Sequence, residues 1–193
     1  MFFRKSKIEK IISKLEPLNL DSFLKVKGLS GLIAPDRLRY TDGVPLTSLN
    51  FAEVQMLTRE MSNGFKVRLP TLQEDYTAFK NLDAKYRENV LSSVSEWKAE
   101  YLDGSFLMVD PEVRRVDLPR GYDFNGELRI VSSYSSPRES SNPISWFGVS
   151  RDRYGRAALV RSCSYSKDEK TYAAGMIPPL SKECIGIRLF MEE

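Results

Sequence analysis

The stretch Val67-Arg68-Leu69-Pro70-Thr71-Leu72-Gln73-Glu74 decides how the chain is read. Phe65–Leu69 reads as a short strand, and Pro70 breaks it, because proline has no N–H to give to a ladder. Thr71 and Glu74 stand three apart, the capping-box spacing in which each side chain bonds the other residue's backbone N–H. The pattern predicts a helix opening at Leu72, with Leu72, Tyr76 and Phe79 on its buried face.

Upstream, Asn50-Phe51-Ala52-Glu53 repeats the device with an Asn cap, and Phe51, Val54, Leu57 and Met61 fall on one helical face. Asn63-Gly64 ends that helix, glycine being free to take positive φ. Nearer the N-terminus, Ile8, Ile11, Ile12 and Leu15 recur at helical spacing until Pro17, with Lys5, Lys7, Lys10 and Lys14 between them. A solvated face over a packed stripe accounts for those lysines more simply than a basic patch does. Phe23–Val26 fits a strand. Gly28-Leu29-Ser30-Gly31 reads as a turn rather than the GxxG loop of a KH module, whose flanking helices and strands are missing.

Downstream, a polar and weakly helical stretch leads to Val94–Tyr101 and Ser105–Val109, which flank Leu102-Asp103-Gly104. Asp-Gly between β-rich runs predicts a hairpin. Leu128–Val131 fits a strand and Ser132–Pro143 a loop. From Trp146 on, strand-like pieces (Trp146–Val149, Ala157–Arg161) alternate with turns at Asp152–Gly155 and Lys167–Lys170. Two prolines in Met176–Leu180 argue against a central strand there. Ile185–Met191 closes the chain as a buried strand with Ile185, Ile187 and Leu189 on one face. Helices first and short strands afterwards make an α+β pattern.

At 193 residues the chain is long enough to bury a core without disulfide or metal staples. Lys and Arg total 29 and Asp and Glu 26, a net charge of +3 that gives no global attraction to nucleic acid or membrane. No run nears the roughly 18 apolar residues of a membrane span. The charged Ser6–Lys14 run stands where a signal peptide would need its apolar segment, so none is expected. Localisation is left open, with display on a cell or particle surface by another route compatible. There is no histidine, which removes His bases and His metal ligands. No dinucleotide or P-loop glycine pattern and no EF-hand loop occurs, so neither cofactor nor metal is expected. Cys163 follows Arg161-Ser162, and that cation could activate it. Cys163 and Cys184 could also pair, or both be small inert side chains. Between Ser132 and Cys184 the presumed loops are rich in Ser, Tyr, Arg and Asp. Ser and Tyr are favoured in adaptable binding surfaces, though Ser-rich stretches are also simply loops.

Three segments, in order, resemble a known family. Pro45-Leu46-Thr47-Ser48-Leu49-Asn50-Phe51-Ala52-Glu53 is similar to the entry into the first helix of the formylglycine-generating-enzyme-like branch of the C-type lectin fold. Val67-Arg68-Leu69-Pro70-Thr71 with Glu74 resembles that branch's R-L-P-T-x-x-E segment, and Val94-Ser95-Glu96-Trp97 its V-W-E-W. Ala158-Leu159-Val160-Arg161-Ser162-Cys163-Ser164-Tyr165, then Ile185-Gly186-Ile187-Arg188-Leu189, resembles its ending. The resemblance runs from about Val44 to the C-terminus. It implies an N-terminal extension over residues 1–43 packed on a C-type lectin-fold domain over 44–193, with N-terminal helices followed by short antiparallel strands.

The departures bear on function. The family's oxidases hold copper with a cysteine pair just past the turn that Ser162–Ser164 would occupy, and Ser166–Tyr172 contains no cysteine. Lectin-type calcium motifs are missing too. The non-enzymatic group that looks similar is the variable proteins of diversity-generating retroelements, in which error-prone copying of adenines rewrites the 3′ end of the gene. That resemblance implies a ligand-binding protein, not an enzyme, of a divergent archaeal or viral branch. Its hypervariable region would span about 146–190, over a framework of Trp146, Gly148, Leu159, Val160, Pro178, Pro179, Gly186 and Arg188. The implied contacts are Ser150, Arg151, Asp152, Tyr154, Arg156, Ser162, Ser164, Tyr165, Ser166, Asp168, Tyr172, Ile177, Ser181 and Cys184, facing a protein or other surface ligand and no nucleic acid. The alternatives are a degenerate oxidase using Cys163 and Cys184, and a fixed-specificity binding or structural subunit of the same fold.

Overall fold

The computed structural model describes the backbone of residues 2–62, 66–91, 99–109, 112–115, 145–149, 156–165, 170–177 and 185–192. Helix α1 (Phe2–Ile12) buries Ile8, with Ile11 and Ile12 packed at the edge of the core. A 3-10 turn (Leu20–Ser22) leads to β1 (Leu24–Lys25) and β2 (Gly31–Arg37). Next come α2 (Phe51–Met61), β3 (Val67–Arg68), α3 (Leu72–Asn81) and α4 (Ala84–Leu91). The second half is strands: β4 (Ala99–Val109), β5 (Glu112–Arg115), β6 (Ser145–Val149), β7 (Arg156–Tyr165), β8 (Lys170–Ile177), β9 (Ile185–Gly186) and β10 (Arg188–Glu192).

Both capping boxes form as their spacing predicts. Asn50 Oδ1 accepts from Glu53 N at 3.0 Å while Glu53 Oε2 accepts from Asn50 N at 3.0 Å. Thr71 Oγ1 and Glu74 Oε2 do the same for α3, at 3.2 and 2.8 Å. Helix α2 buries Phe51, Val54 and Leu57, and Met61 packs partly buried against the same core. On α3 the buried face is Leu72, Asp75 and Ala78, not Leu72, Tyr76 and Phe79; Tyr76 and Phe79 are half-buried. The helix is rotated because Asp75 meets a buried arginine, Arg161.

Two sheets carry the fold. One has the order β1-β2-β10-β3, paired antiparallel throughout. The other runs β5-β4-β7-β8-β6, with β9 against β4. Within it β6/β8 and β4/β9 are parallel, and the remaining pairs antiparallel. The architecture is thus α+β with mainly antiparallel sheets. Residues 185–192 belong to both sheets. Glu100 registers with Gly186, Ile187 accepts from Leu38 N at 2.8 Å, and Phe190 then registers with Ile33 and Arg68. Ile185, Ile187 and Leu189 sit in the main core with Ile8, Leu38, Leu57, Tyr101 and Val160. The other parity is buried as well: Arg188 and Phe190 are each 1% exposed. Residues on either side of position 43 share this sheet and this core.

Three expectations change. Leu102-Asp103-Gly104 makes no hairpin: β4 runs through it, and the extra residues bulge between Tyr101↔Val160 and Ser105↔Ala158. An Asp-Gly pair serves a bulge as readily as a turn, since both need unusual backbone angles. Asp103 N donates to Pro70 O at 2.8 Å, which fastens the bulge to the start of α3. Strand β2 has no counterpart in the sequence reading, because Pro35 and Asp36 disguise it. The β2/β10 register shifts between Arg37 and Ile33, and Pro35 sits in that irregular stretch, where a missing N–H is tolerated. Internal strand β8 reaches Ile177, so Met176 and Ile177 are strand residues, with Pro178 directly after. The expectations for Asn63-Gly64, Leu128–Val131, Ser132–Pro143 and Asp152–Gly155 lie outside the described residues, as do residues 166–169.

Gly31 opens β2 beneath β10. A Cβ there would collide with the Met191 carbonyl oxygen and the Phe190 ring, so no larger residue fits without a shift.

Candidate functional site

Strand β7 links the core to the residues expected to face a ligand. Its first half, Ala157–Val160, is fully buried and made of small and branched apolar residues. Arg161 follows, 1% exposed. A buried arginine must be paired, since an isolated buried charge is prohibitively costly. Arg161 Nε donates to Asp75 Oδ2 at 2.6 Å, and Nη2 lies 2.5 Å from Glu100 Oε2. Glu100 is the cross-strand register partner of Arg161 and is itself 1% exposed.

Glu100 is the centre of a larger cluster. Arg37 Nε donates to Glu100 Oε1 at 2.6 Å, and Arg188 Nε to Oε2 at 3.0 Å. Arg188 also gives Nη1 to the carbonyls of Ala34 and Pro35, at 3.0 and 2.7 Å, and Nη2 to Asn89 Oδ1 at 2.9 Å. Those carbonyls lie in the irregular stretch of β2, so Arg188 takes up acceptors there. The Tyr86 ring stacks 5.1 Å from the Arg188 guanidinium carbon. One carboxylate therefore ties β4, β7, β2 and β10 together, across both sheets. Burial works to raise the Glu100 pKa, but Arg161, Arg188 and Arg37 outweigh it and hold the group well below the usual carboxylate range. A carboxylate so held is a joint and not a general base, which would need a pKa near the working pH.

A second charge cluster explains the R-L-P-T-x-x-E segment. Arg68 makes a two-pronged pair with Glu74, Nη1–Oε2 and Nη2–Oε1 both at 2.7 Å, and its Nε donates to Glu192 Oε1 at 2.7 Å. Its guanidinium also lies over Phe190, 4.6 Å from the ring centre. Glu74 thus caps α3 and holds β3 at once. Beside this cluster, burial raises the Asp103 carboxyl to about 6; Arg68 opposes the rise, and Glu74 and Glu192 add to it.

The expected contact residues divide between described and undescribed positions. Arg156, Ser162, Ser164 and Tyr165 lie on β7, and Tyr172 and Ile177 on β8. By register Ser164 stands opposite Thr171, Tyr172 opposite Cys163, and Ile177 opposite Ala158. Five of the six lie on this antiparallel ladder, and Arg156 registers instead with Leu107 of β4. Ser150, Arg151, Asp152, Tyr154, Ser166, Asp168, Ser181 and Cys184 lie outside the described residues. Sequence reasoning missed the Glu100–Arg161–Arg188 joint. Its only signal was an arginine ending the apolar run Ala157–Val160 and another inside Ile185–Leu189.

The chain matches no family model, no curated protein and no solved structure. Among the described residues no helix is long and apolar enough to cross a membrane.

Proposed function

We propose that the chain is a non-enzymatic ligand-binding protein of C-type lectin fold. Its region from about 146 to 190 presents a hypervariable face, diversified by retroelement-directed adenine mutagenesis. The ligand is a protein or another surface-borne partner. The observation that carries the reading is the division of β7. Ala157–Arg161 is locked into the core and into the Glu100 cluster, and the candidate positions Ser162, Ser164 and Tyr165 begin directly after it, on the ladder shared with Tyr172. Residues mounted on a fixed strand lose little entropy on engagement, and surface exchanges away from the core cost within about 0.5 kcal/mol each. Tyr and Arg serve as the anchors of such a face, with Ser and Asp supplying hydrogen bonds.

The test is to sequence the 3′ end of the gene and its flanking DNA from many copies in one population. A near-identical repeat differing only at adenines, beside a reverse transcriptase, is the expected result. An invariant 3′ end with no repeat overturns the reading and leaves a fixed-specificity protein.

A further inference from the structure

Lysines at the end of α1 border a cleft. Lys7 and Lys10, three apart on α1, share one side of the helix, and Lys14 follows in the turn just past Ile12. They line a cavity of about 540 Å³, closed on its far side by Tyr40, Thr41 and Asp42, with Ile11 in its wall. That volume lies within the range of small ligand sites, about 300–1,000 Å³. Backbone bonds fix the two walls to each other. Thr41 N donates to Lys14 O at 2.9 Å and Glu16 N to Arg39 O at 3.0 Å, while Leu15 bridges Tyr40. The Tyr40–Val44 turn is tight, with Gly43 at φ +81°, a conformation that favours glycine.

The charges in this cleft do not balance. Lys7 is paired with Glu53 at 2.6 Å. Lys10 and Lys14 are exposed and make no ion pair among the described residues. Asp42, the one acid in the lining, already accepts from Val44 N at 3.0 Å. We infer that this cleft docks an acidic peptide segment of a partner protein, its carboxylates meeting Lys10 and Lys14 and an apolar side chain lying against Ile11 and Tyr40. Carboxylates fit better than phosphate because the lining holds no arginine fork, only separate lysine charges. The cleft shares no residue with the candidate contact set on β7 and β8.

The test is fluorescence anisotropy with a fluorescein-labelled ten-residue peptide of alternating glutamates around one central leucine, added to the full chain. Expected is saturable binding that weakens with salt and falls at least tenfold in the double variant K10E/K14E. Both lysines are exposed, so the melting temperature of that variant stays within a degree or two of the parent. Equal binding by parent and variant, or no binding by the parent at low salt, overturns the inference. So does saturable binding of inorganic tripolyphosphate in the absence of any peptide binding, which would mark a phosphate site instead.

Discussion

Glu100→Gln keeps the shape of the side chain and removes its charge from a site where three arginines converge. Arg37, Arg161 and Arg188 approach its two oxygens at 2.6, 2.5 and 3.0 Å, and their side chains are no more than 3% exposed. None of the three can turn to water without opening the junction of the sheets. Breaking one buried pair typically costs about 3–5 kcal/mol, because the partner is left as an uncompensated charge. Here one substitution touches three pairs. Asp75 still faces Arg161 and Asp36 still lies near Arg37, so the expected loss is about 4 kcal/mol rather than three times that. A domain has only about 5–15 kcal/mol in total, so the variant should fold with little margin. Urea unfolding, followed by far-ultraviolet circular dichroism, measures it. With a slope of about 2 kcal/mol per molar urea, the midpoint should fall by about 2 M with the slope unchanged. Lys7→Ala is the control: its pair with Glu53 is half-exposed at the lysine and should cost under about 1 kcal/mol. A midpoint shift for Glu100→Gln no larger than that of Lys7→Ala would refute the account of the joint.

Asp103→Asn tests the neighbouring cluster. The carboxyl rises to about 6 in the fold from an ordinary value of 3.8, so the native state binds the extra proton. Stability should therefore drop as pH climbs from about 4 to 6, and the Asn variant should be the more stable by about 2 kcal/mol at pH 7.5 with no gain at pH 4. Glu100 and Glu74 act in the opposite sense. Their depressed values stabilise the fold above the ordinary carboxylate pKa, and that stability is lost in acid as each group protonates. Melting temperatures of parent and variant across pH 4–8 separate the two contributions. Asn50→Ala and Thr71→Ala should each cost about 1 kcal/mol by urea titration, since each deletes one half of a formed capping box.

Local signals in the sequence survive into the structure wherever the physics is local. The two capping boxes are decided within four residues each, and both helices begin where Asn50 and Thr71 place them. The apolar period of Ile8–Leu15 and the alternation of Ile185, Ile187 and Leu189 likewise locate core faces correctly. What escaped needed a partner far along the chain. Asp103-Gly104 is locally as good a turn as a bulge, and pairing with Val160 and Ala158 decides for the bulge. Pro35 marks an interrupted strand only once β10 lies beside it. The α3 face turns on Asp75 meeting Arg161, 86 residues away. Of the candidate contacts, five positions fall on the β7/β8 ladder; the apolar run Ala157–Val160 announced β7, while β8 had no signal in the sequence. Arg156 pairs with β4, and the others lie outside the described residues.

The order of synthesis gives the last strand a further meaning. Strand β10 supplies the middle of the four-stranded sheet, and Arg188 closes on carbonyls more than 150 residues earlier. Neither that sheet nor the Glu100 joint can be completed until Ile185–Glu192 has emerged from the ribosome. Contacts of such long sequence separation form late and slowly. Any copy of the chain truncated before Ile185 lacks the closing strand. It then leaves the second edge of β2 and the Arg37 cluster uncovered, for chaperones and proteases to find. The fold would thus act as an inspector of each new copy, passing only those whose synthesis reached the closing strand.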